Sequence, residues 1–191
     1  MTDSVVVGED GLGRCGWAAH DAEYRRYHDE EWGRPLHDEQ RLFEKLCLEG
    51  FQAGLSWITI LRRRPAFRAA FAGFDVRAVA AFTEADVERL LGDESIIRHR
   101  GKITATIDNA RSTLALGESL AELIWSYAPA RRPEPLRTLA EVPAITPESS
   151  ALSAALRSRG YKFVGPTTMY ALMQSSGLVN DHLADCHLAP V

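Results

Sequence analysis

What most constrains this chain is the spacing of its apolar residues between recognisable helix start and stop signals. Leu42, Phe43, Leu46 and Cys47, then Ile103, Ile107, Ala110 and Leu114, then Leu152, Ala155 and Leu156 recur at intervals of three and four, the period that lines one face of an α-helix. Asp21 and Asp38 stand where N-caps belong, and Thr83 with Asp86 and Ser119 with Glu122 have the spacing of capping boxes. Pro65, Pro147 and Pro166 read as first-turn prolines, and Gly160 and Gly177 as C-terminal stops. Alternating strand patterns are nearly absent. The best of them, Val5–Val7, lies in a stretch punctuated by Gly8, Gly11 and Gly13. The pattern predicts an all-α fold of about eight to ten short helices at ordinary helix lengths.

Residues 1–13 then read as a frayed tail, 14–188 as one helical domain and 189–191 as a second short tail. The stretch from Pro129 to Pro147 holds five of the nine prolines. It predicts a connector that crosses the surface between two helical lobes. With 191 residues, 46% of them hydrophobic, the chain can bury a core of its own. No apolar run approaches the roughly 20 residues that span a bilayer, so no membrane partner is expected. The start lacks a charged n-region followed by an apolar one, so no secretory signal is expected either. Three cysteines, Cys15, Cys47 and Cys186, do not make a disulfide framework and fit a reducing cytoplasm. A formal net charge of −4 argues against a coat of positive charge but leaves room for a local basic face.

Cys15 is followed after twelve residues by His28, and His182 after three by Cys186. The second pair is spaced i, i+4, so on a helix both side chains would project from one face and grip one ion. Two thiolates and two imidazoles complete the tetrahedral set of a closed, structural zinc site, which leaves no position for a reactive water. Such a site would pin the N-terminal segment to a C-terminal helix. The competing reading is four unrelated residues: a free cysteine commonly packs as a small hydrophobe, and His20 and His187 are spare imidazoles close by. His37 and His99 read as surface residues.

Counting from the Asp38 cap, Glu49 falls two turns after Leu42, about 20° from it around the helix, at the edge of an apolar stripe. A carboxylate there is either a functional acid or one that curls out to water beside Gly50. Trp17, Tyr24, Tyr27, Trp32 and Trp57 all lie in the first third of the chain. They describe either ordinary core or, with a buried acid, a pocket for a flat cationic ring. Residues 157–168 run from one helical pattern to the next through Gly160 and Gly165, a turn whose exposed amides, with Arg157, Arg159 and Lys162, can hold a phosphate. Arg62–Arg64 and Arg98–Lys102 are further basic stretches. Each is equally a solvated face.

Several motifs point further. R-C-G-W at 14–17, Y-H-D-x-E-W-G at 27–33, C-L-E-G-x-Q-A-G-L-S-W at 47–57, I-I-R-H-R-G-K-I at 96–103, K-F-V-G at 162–165 and G-L-V-N-D-H at 177–182 closely resemble the DNA-3-methyladenine glycosylase I family. The resemblance covers roughly 14–188 in the same order, apart from the Pro-rich stretch. It implies a helix-hairpin-helix fold and a role in base-excision repair. It also implies that Cys15, His28, His182 and Cys186 hold one structural Zn²⁺. Glu49 becomes the acid that contacts the excised base, in a pocket lined by Trp17, Tyr24, Tyr27 and Trp57 with Trp32 nearby. Gly54 and Leu55 become the apolar plug that fills the gap in the duplex, and the segment Arg157, Arg159, Gly160, Lys162, Gly165 the phosphate-binding hairpin.

The expected reaction is hydrolytic excision of 3-methyladenine from alkylated double-stranded DNA by a monomer, leaving an abasic site, with the free base as product. Stacking on Trp17 and Trp57 would favour the cationic base, Glu49 would hydrogen-bond its edge, and Tyr27 would shape the space around the methyl group. Asp181 reads either as the group that activates water or, more simply, as a helix cap before His182. The alternatives are a zinc-stabilised DNA-binding module without activity, and a zinc hydrolase if one of the four ligands does not bind.

Overall fold

The computed structural model describes residues 4–132 and 134–190. Residues 1–3 and 191 of the two expected tails, and position 133 of the connector, lie outside the described residues. Nine α-helices run through the described chain: α1 Ala22–Glu30, α2 Glu39–Gln52, α3 Trp57–Ala70, α4 Val76–Ala80, α5 Glu84–Gly92, α6 Arg100–Leu114, α7 Leu120–Trp125, α8 Pro147–Ser158 and α9 Pro166–Ser175. Short 3-10 turns occupy Gly16–Ala18, Ala72–Phe74 and Leu139–Glu141.

The fold is mostly helical rather than all-α. Val5–Val7 (β1), expected to fray, pairs antiparallel with Gly13–Cys15 (β2), Val5 opposite Cys15 and Val7 opposite Gly13. The Gly8–Leu12 turn between them is closed by the amide of Gly8 on the carbonyl of Leu12 at 3.0 Å. A three-residue strand with no alternating partner leaves almost no period for a sequence reading to detect.

Helix α2 is the centre of the molecule. Every residue from Leu42 to Phe51 is buried, and the helix packs against α3, α6, α7 and α9. A helix buried all round is held by its neighbours rather than by an amphipathic stripe. Asp38 caps it through the amide of Arg41 at 2.9 Å, and Asp21 caps α1 through the amides of Glu23 and Tyr24, both as the sequence suggests. The Thr83 amide donates to Asp86 at 2.9 Å. At α7, however, Ser119 takes the amide of Glu122 while Glu39, from α2, takes those of Leu120 and Ala121, so the expected box is completed by a distant carboxylate.

Pro147 and Pro166 open α8 and α9 as expected. Pro65 instead lies inside α3. It is exposed, while Leu61, Arg64 and Phe67 of the same helix are buried, and their burial holds the helix through the missing donor. Gly160 ends α8 in a left-handed conformation (φ +90°). Its amide reaches Arg157 and that of Tyr161 reaches Leu156, the two bonds of a Schellman stop. Gly177 (φ +76°) allows no side chain, since a Cβ there would lie 2.4 Å from the Arg34–Pro35 backbone.

The chain after α9 is not helical among its described residues. Residues 181–190 form turns and irregular backbone, tied back by Ala184 N–H on Leu136 O and His187 N–H on Gly13 O, both at 2.8 Å. Cys15, Leu183 and Cys186, with Val5, Trp17, Leu136, Leu139 and Leu188 against them, form a small second core apart from the main one.

Candidate active site and metal centre

Glu49 sits on the last turns of α2 and is 4% exposed. It does not curl out to water. Burial pushes its carboxyl up to about 7, against the pull of the Lys45 ammonium and the Ser175 hydroxyl. Lys45, one turn earlier on α2, is itself buried, its Nζ 5.3 Å above the Tyr27 ring and without a hydrogen-bond partner among the described residues. Burial lowers it to about 8, although Glu31 and Glu49 oppose the shift. An i, i+4 acid–base pair has thus been carried into the protein interior.

Glu49 opens into a cavity of about 440 Å³ whose wall includes all five aromatic side chains singled out in the sequence: Trp17, Tyr24, Tyr27, Trp32 and Trp57. Tyr27 links two of the indoles, its ring centroid 6.4 Å from Trp17 and 5.6 Å from Trp57. Tyr24 meets Trp17 edge-on at 5.4 Å, and its hydroxyl accepts the Ile58 amide at 3.0 Å, anchoring the first turn of α3. Burial raises the Tyr27 hydroxyl well above its ordinary pKa, so it is neutral at physiological pH.

The rest of the wall was not legible in the sequence. Leu139, Val142, Pro143 and Ala144 of the Pro-rich connector form one side, so this stretch folds over the cavity and does more than cross the surface. Tyr170, Gln174 and Ser175 of α9 and the buried Asp181 form another. Asp181 is not a helix cap. Its carboxylate accepts from Tyr170 Oη at 2.7 Å, Gln174 Nε2 at 2.9 Å and the Arg132 guanidinium. Arg132 belongs to the connector, so Asp181 latches the connector to the pocket wall.

Cys15, His28, His182 and Cys186 are all buried, with their ligand atoms within 4.8 Å of one another. His28 Nε2 lies 3.4 Å from Cys186 Sγ and 3.1 Å from His182 Nδ1, which lies 3.5 Å from Cys186 Sγ and 3.9 Å from Cys15 Sγ. The other imidazole nitrogens are turned outward, His28 Nδ1 to Asp29 at 2.8 Å and His182 Nε2 to the Trp32 carbonyl at 3.2 Å. Bonds of this kind fix which ring nitrogen faces a metal. The cluster can hold a metal ion. His20 is exposed and outside it, and the His187 ring turns to Gly13 O. Trp32 joins this centre to the cavity, its ring 4.7 Å from His182 and 5.2 Å from Trp17.

On the outer surface, Leu55 is 40% exposed on the turn between α2 and α3, and Gly54 adopts φ +84°. A second cavity of about 210 Å³ runs beneath this turn, bounded by Gly54, Leu55, Thr167 and Thr168 and reaching Glu49. Thr167 and Thr168 begin α9. Between α8 and α9, Asn109 clamps the backbone of Lys162, with Nδ2 on its carbonyl at 3.1 Å and Oδ1 on its amide at 2.8 Å. The amides of Phe163, Val164 and Gly165 donate to no protein acceptor among the described residues. Arg157 is exposed and forms no ion pair there, whereas Arg159 meets Glu118 at 3.2 Å and Lys162 meets Asp108 at 2.6 Å.

The other two basic stretches are largely spoken for. Arg62 pairs with Asp21, Arg63 donates to the carbonyls of Glu94 and Ser95, and Arg64 grips Glu31 at 2.6 Å. Arg98 pairs with Glu94, Arg100 with Glu84 and Glu88, and Lys102 is buried. They are structural features and not a free basic face.

The profile of the methyladenine glycosylase family matches residues 17–189, a span that includes the Pro-rich connector. The DNA-3-methyladenine glycosylase 1 of Escherichia coli (strain K12) is 52% identical over 182 residues, covering 93% of this chain and 97% of that protein. A crystal structure of 3-methyladenine DNA glycosylase I superposes with a TM-score of 0.89 at 50% identity, over 93% of this chain and 100% of that one. A variant of such an enzyme solved in complex with 3-methyladenine superposes at 0.87 with 33% identity, over 93% and 98%. With that span matched and about half its residues shared with the Escherichia coli protein, the chain belongs to the methyladenine glycosylase family.

Proposed function

We propose that this chain is a DNA repair glycosylase that flips 3-methyladenine out of alkylated double-stranded DNA and hydrolyses its N-glycosidic bond, leaving an abasic site. The observation that carries this reading is the buried Glu49 carboxyl, which lines a cavity walled by indole and phenol rings. Methylation at N3 makes the adenine cationic in DNA. A cationic ring is held by aromatic faces and by a carboxylate in a water-poor site more strongly than neutral adenine, which gains only the stacking. Binding that strengthens as the charge is felt, and that compensates the few kcal/mol of unstacking, is the form of selectivity a base-flipping enzyme needs.

In this reading Trp17 and Trp57 offer stacking faces, Glu49 accepts from the purine edge, Tyr27 shapes the space for the methyl group, and Tyr24 and Trp32 hold the rings in place. A cationic purine is already a good leaving group, so little acid assistance is needed. Asp181 accepts three donors, and its part is to hold the connector over the cavity rather than to take a proton from water.

The DNA-facing parts are the α2–α3 turn and the helix-hairpin-helix of α8 and α9. Leu55, carried by Gly54, fills the space the flipped base leaves. The unpartnered amides up to Gly165, at the positive end of the ten-residue α9, take a phosphate, with Gly160 turning the chain and Arg157 adding charge. Arg159 and Lys162 must exchange Glu118 and Asp108 for phosphates, which reduces their net contribution.

The four-residue cluster fits a structural Zn²⁺. Zinc bonds of about 2.0–2.3 Å in a tetrahedron separate the ligand atoms by about 3.3–3.8 Å, close to the spacings given above. Bound there, the ion would cross-link the two chain ends and support Trp32, with no open position for a water. We take residues 14–188 as one domain acting as a monomer in the cytoplasm. Incubation with methylated duplex DNA tests the function: free 3-methyladenine with matching abasic sites is the expected result, and DNA binding without base release would leave only an inactive zinc-stabilised DNA-binding module.

A further inference from the structure

Lys102, in the first turn of α6, carries an ammonium that faces no carboxylate. The residue is 7% exposed, forms no ion pair among the described residues, and donates to Phe51 O at 2.8 Å and Ala53 O at 2.6 Å. These are carbonyls at the C-terminal end of α2, where acceptors lose their helical donors and the helix dipole favours a cation. The turn that follows has little else to hold it. Within residues 53–56 the other hydrogen bonds are local: Leu55 N–H on Gln52 O, Ser56 O from Thr59 N–H, and the Ser56–Thr59 hydroxyl pair. Among the described residues, Lys102 provides the one hydrogen bond that ties this turn to a distant part of the chain.

We propose that Lys102 is a positioning residue for Leu55: by clamping the end of α2 it fixes the turn that carries the wedge, and so acts on duplex substrates through Leu55 without touching DNA or base. This rests on the glycosylase reading and on Leu55 as the plug. It differs from the reading of Arg98–Lys102 as a phosphate-contacting patch, because the Lys102 ammonium is turned inward.

The test compares wild type, Lys102→Met, Leu55→Ala and the double variant on a methylated duplex and on the same strand unpaired. Free 3-methyladenine binding is followed in parallel by tryptophan fluorescence. Lys102→Met is expected to lower kcat/KM on duplex by about tenfold or more, the weight of a charge-assisted hydrogen bond. It is expected to leave the unpaired strand and the Kd for free base nearly unchanged. The double variant is expected to be no worse than Leu55→Ala, since both changes remove one function. Amide exchange should accelerate at 53–56 and not elsewhere, and Lys102→Gln gives the same comparison if Lys102→Met does not fold. Multiplicative losses, an equal loss on both substrates, a weakened base Kd or unchanged duplex activity would each overturn the clamp. A wild type that releases no base overturns the glycosylase reading itself, and is thereby told apart from failure of the clamp alone.

Discussion

Replacing Glu49 by Gln is expected to make the protein more stable and the enzyme worse. A tenfold change in proton affinity is worth about 1.4 kcal/mol. A carboxyl moved by burial from 4.5 to about 7 therefore costs the fold about 3 kcal/mol once it is ionised. The sign follows from the direction of the shift. With the folded pKa above the unfolded one, the group's stabilising contribution is complete below about 4.5 and is lost as the pH rises through about 7. Glu49→Gln cannot ionise, so it should match the wild type near pH 4 and exceed it by about 3 kcal/mol at pH 8. Urea unfolding at a series of pH values measures this difference directly. Over the same range base release by the wild type should rise through about pH 7, as the carboxylate forms, whereas the variant should be slow and flat. A variant no more stable than wild type at pH 8, or a difference independent of pH, would show that Glu49 is not a buried acid held above its ordinary pKa.

Lys45→Met should also stabilise the fold, since the ammonium is held down to about 8 from 10.5 by burial. That penalty is complete below pH 8 and fades as the pH approaches 10.5, so the gain of about 3 kcal/mol should fade with it. The two gains should not add, because each charge is partly held by the other, and a double variant measured by urea unfolding checks this. Elemental analysis should find one zinc ion per chain, and its removal by a strong chelator should lower Tm and change the fluorescence of Trp17 and Trp32. An unchanged Tm in the metal-free protein would remove the cross-linking role. Asp181→Asn should raise KM by loosening the connector while kcat stays within about tenfold. A fall of the hundredfold or more expected on loss of a general base, at constant KM, would instead make Asp181 the group that activates water.

The parts of this site that were legible in the sequence are those in which residue type and spacing carry the signal. Asp38 and the run after it place Glu49 at the edge of the apolar stripe of α2, and the structure resolves the open choice between buried acid and solvated end by burying it. Cys15, His28, His182 and Cys186 were identified as one set, and the structure brings them together although residues 181–190 do not form the helix assumed for the last pair. A turn through Ala184 and Asp185, closed by the Cys186 amide on the Leu183 carbonyl at 2.8 Å, does the work that an i, i+4 face was expected to do. The parts that were not legible depend on partners far away in the chain. Arg100 reads as a free cation until Glu84 and Glu88 are folded beside it, and Lys102 until the end of α2 arrives. The connector carries no periodicity, so nothing in it announces that Leu139, Val142 and Ala144 wall a cavity. Asp181 looks like a cap because its three donors, Arg132, Tyr170 and Gln174, lie 49, 11 and 7 residues away.

The most direct test of the central claim is a crystal structure of this chain with 3-methyladenine bound. The purine should occupy the aromatic cavity, stacked on an indole ring, with a Glu49 carboxyl oxygen at hydrogen-bond distance from its edge. Base bound elsewhere, or a Glu49 side chain turned away from it, would contradict the claim that the buried Glu49 carboxylate among aromatic faces selects the damaged base.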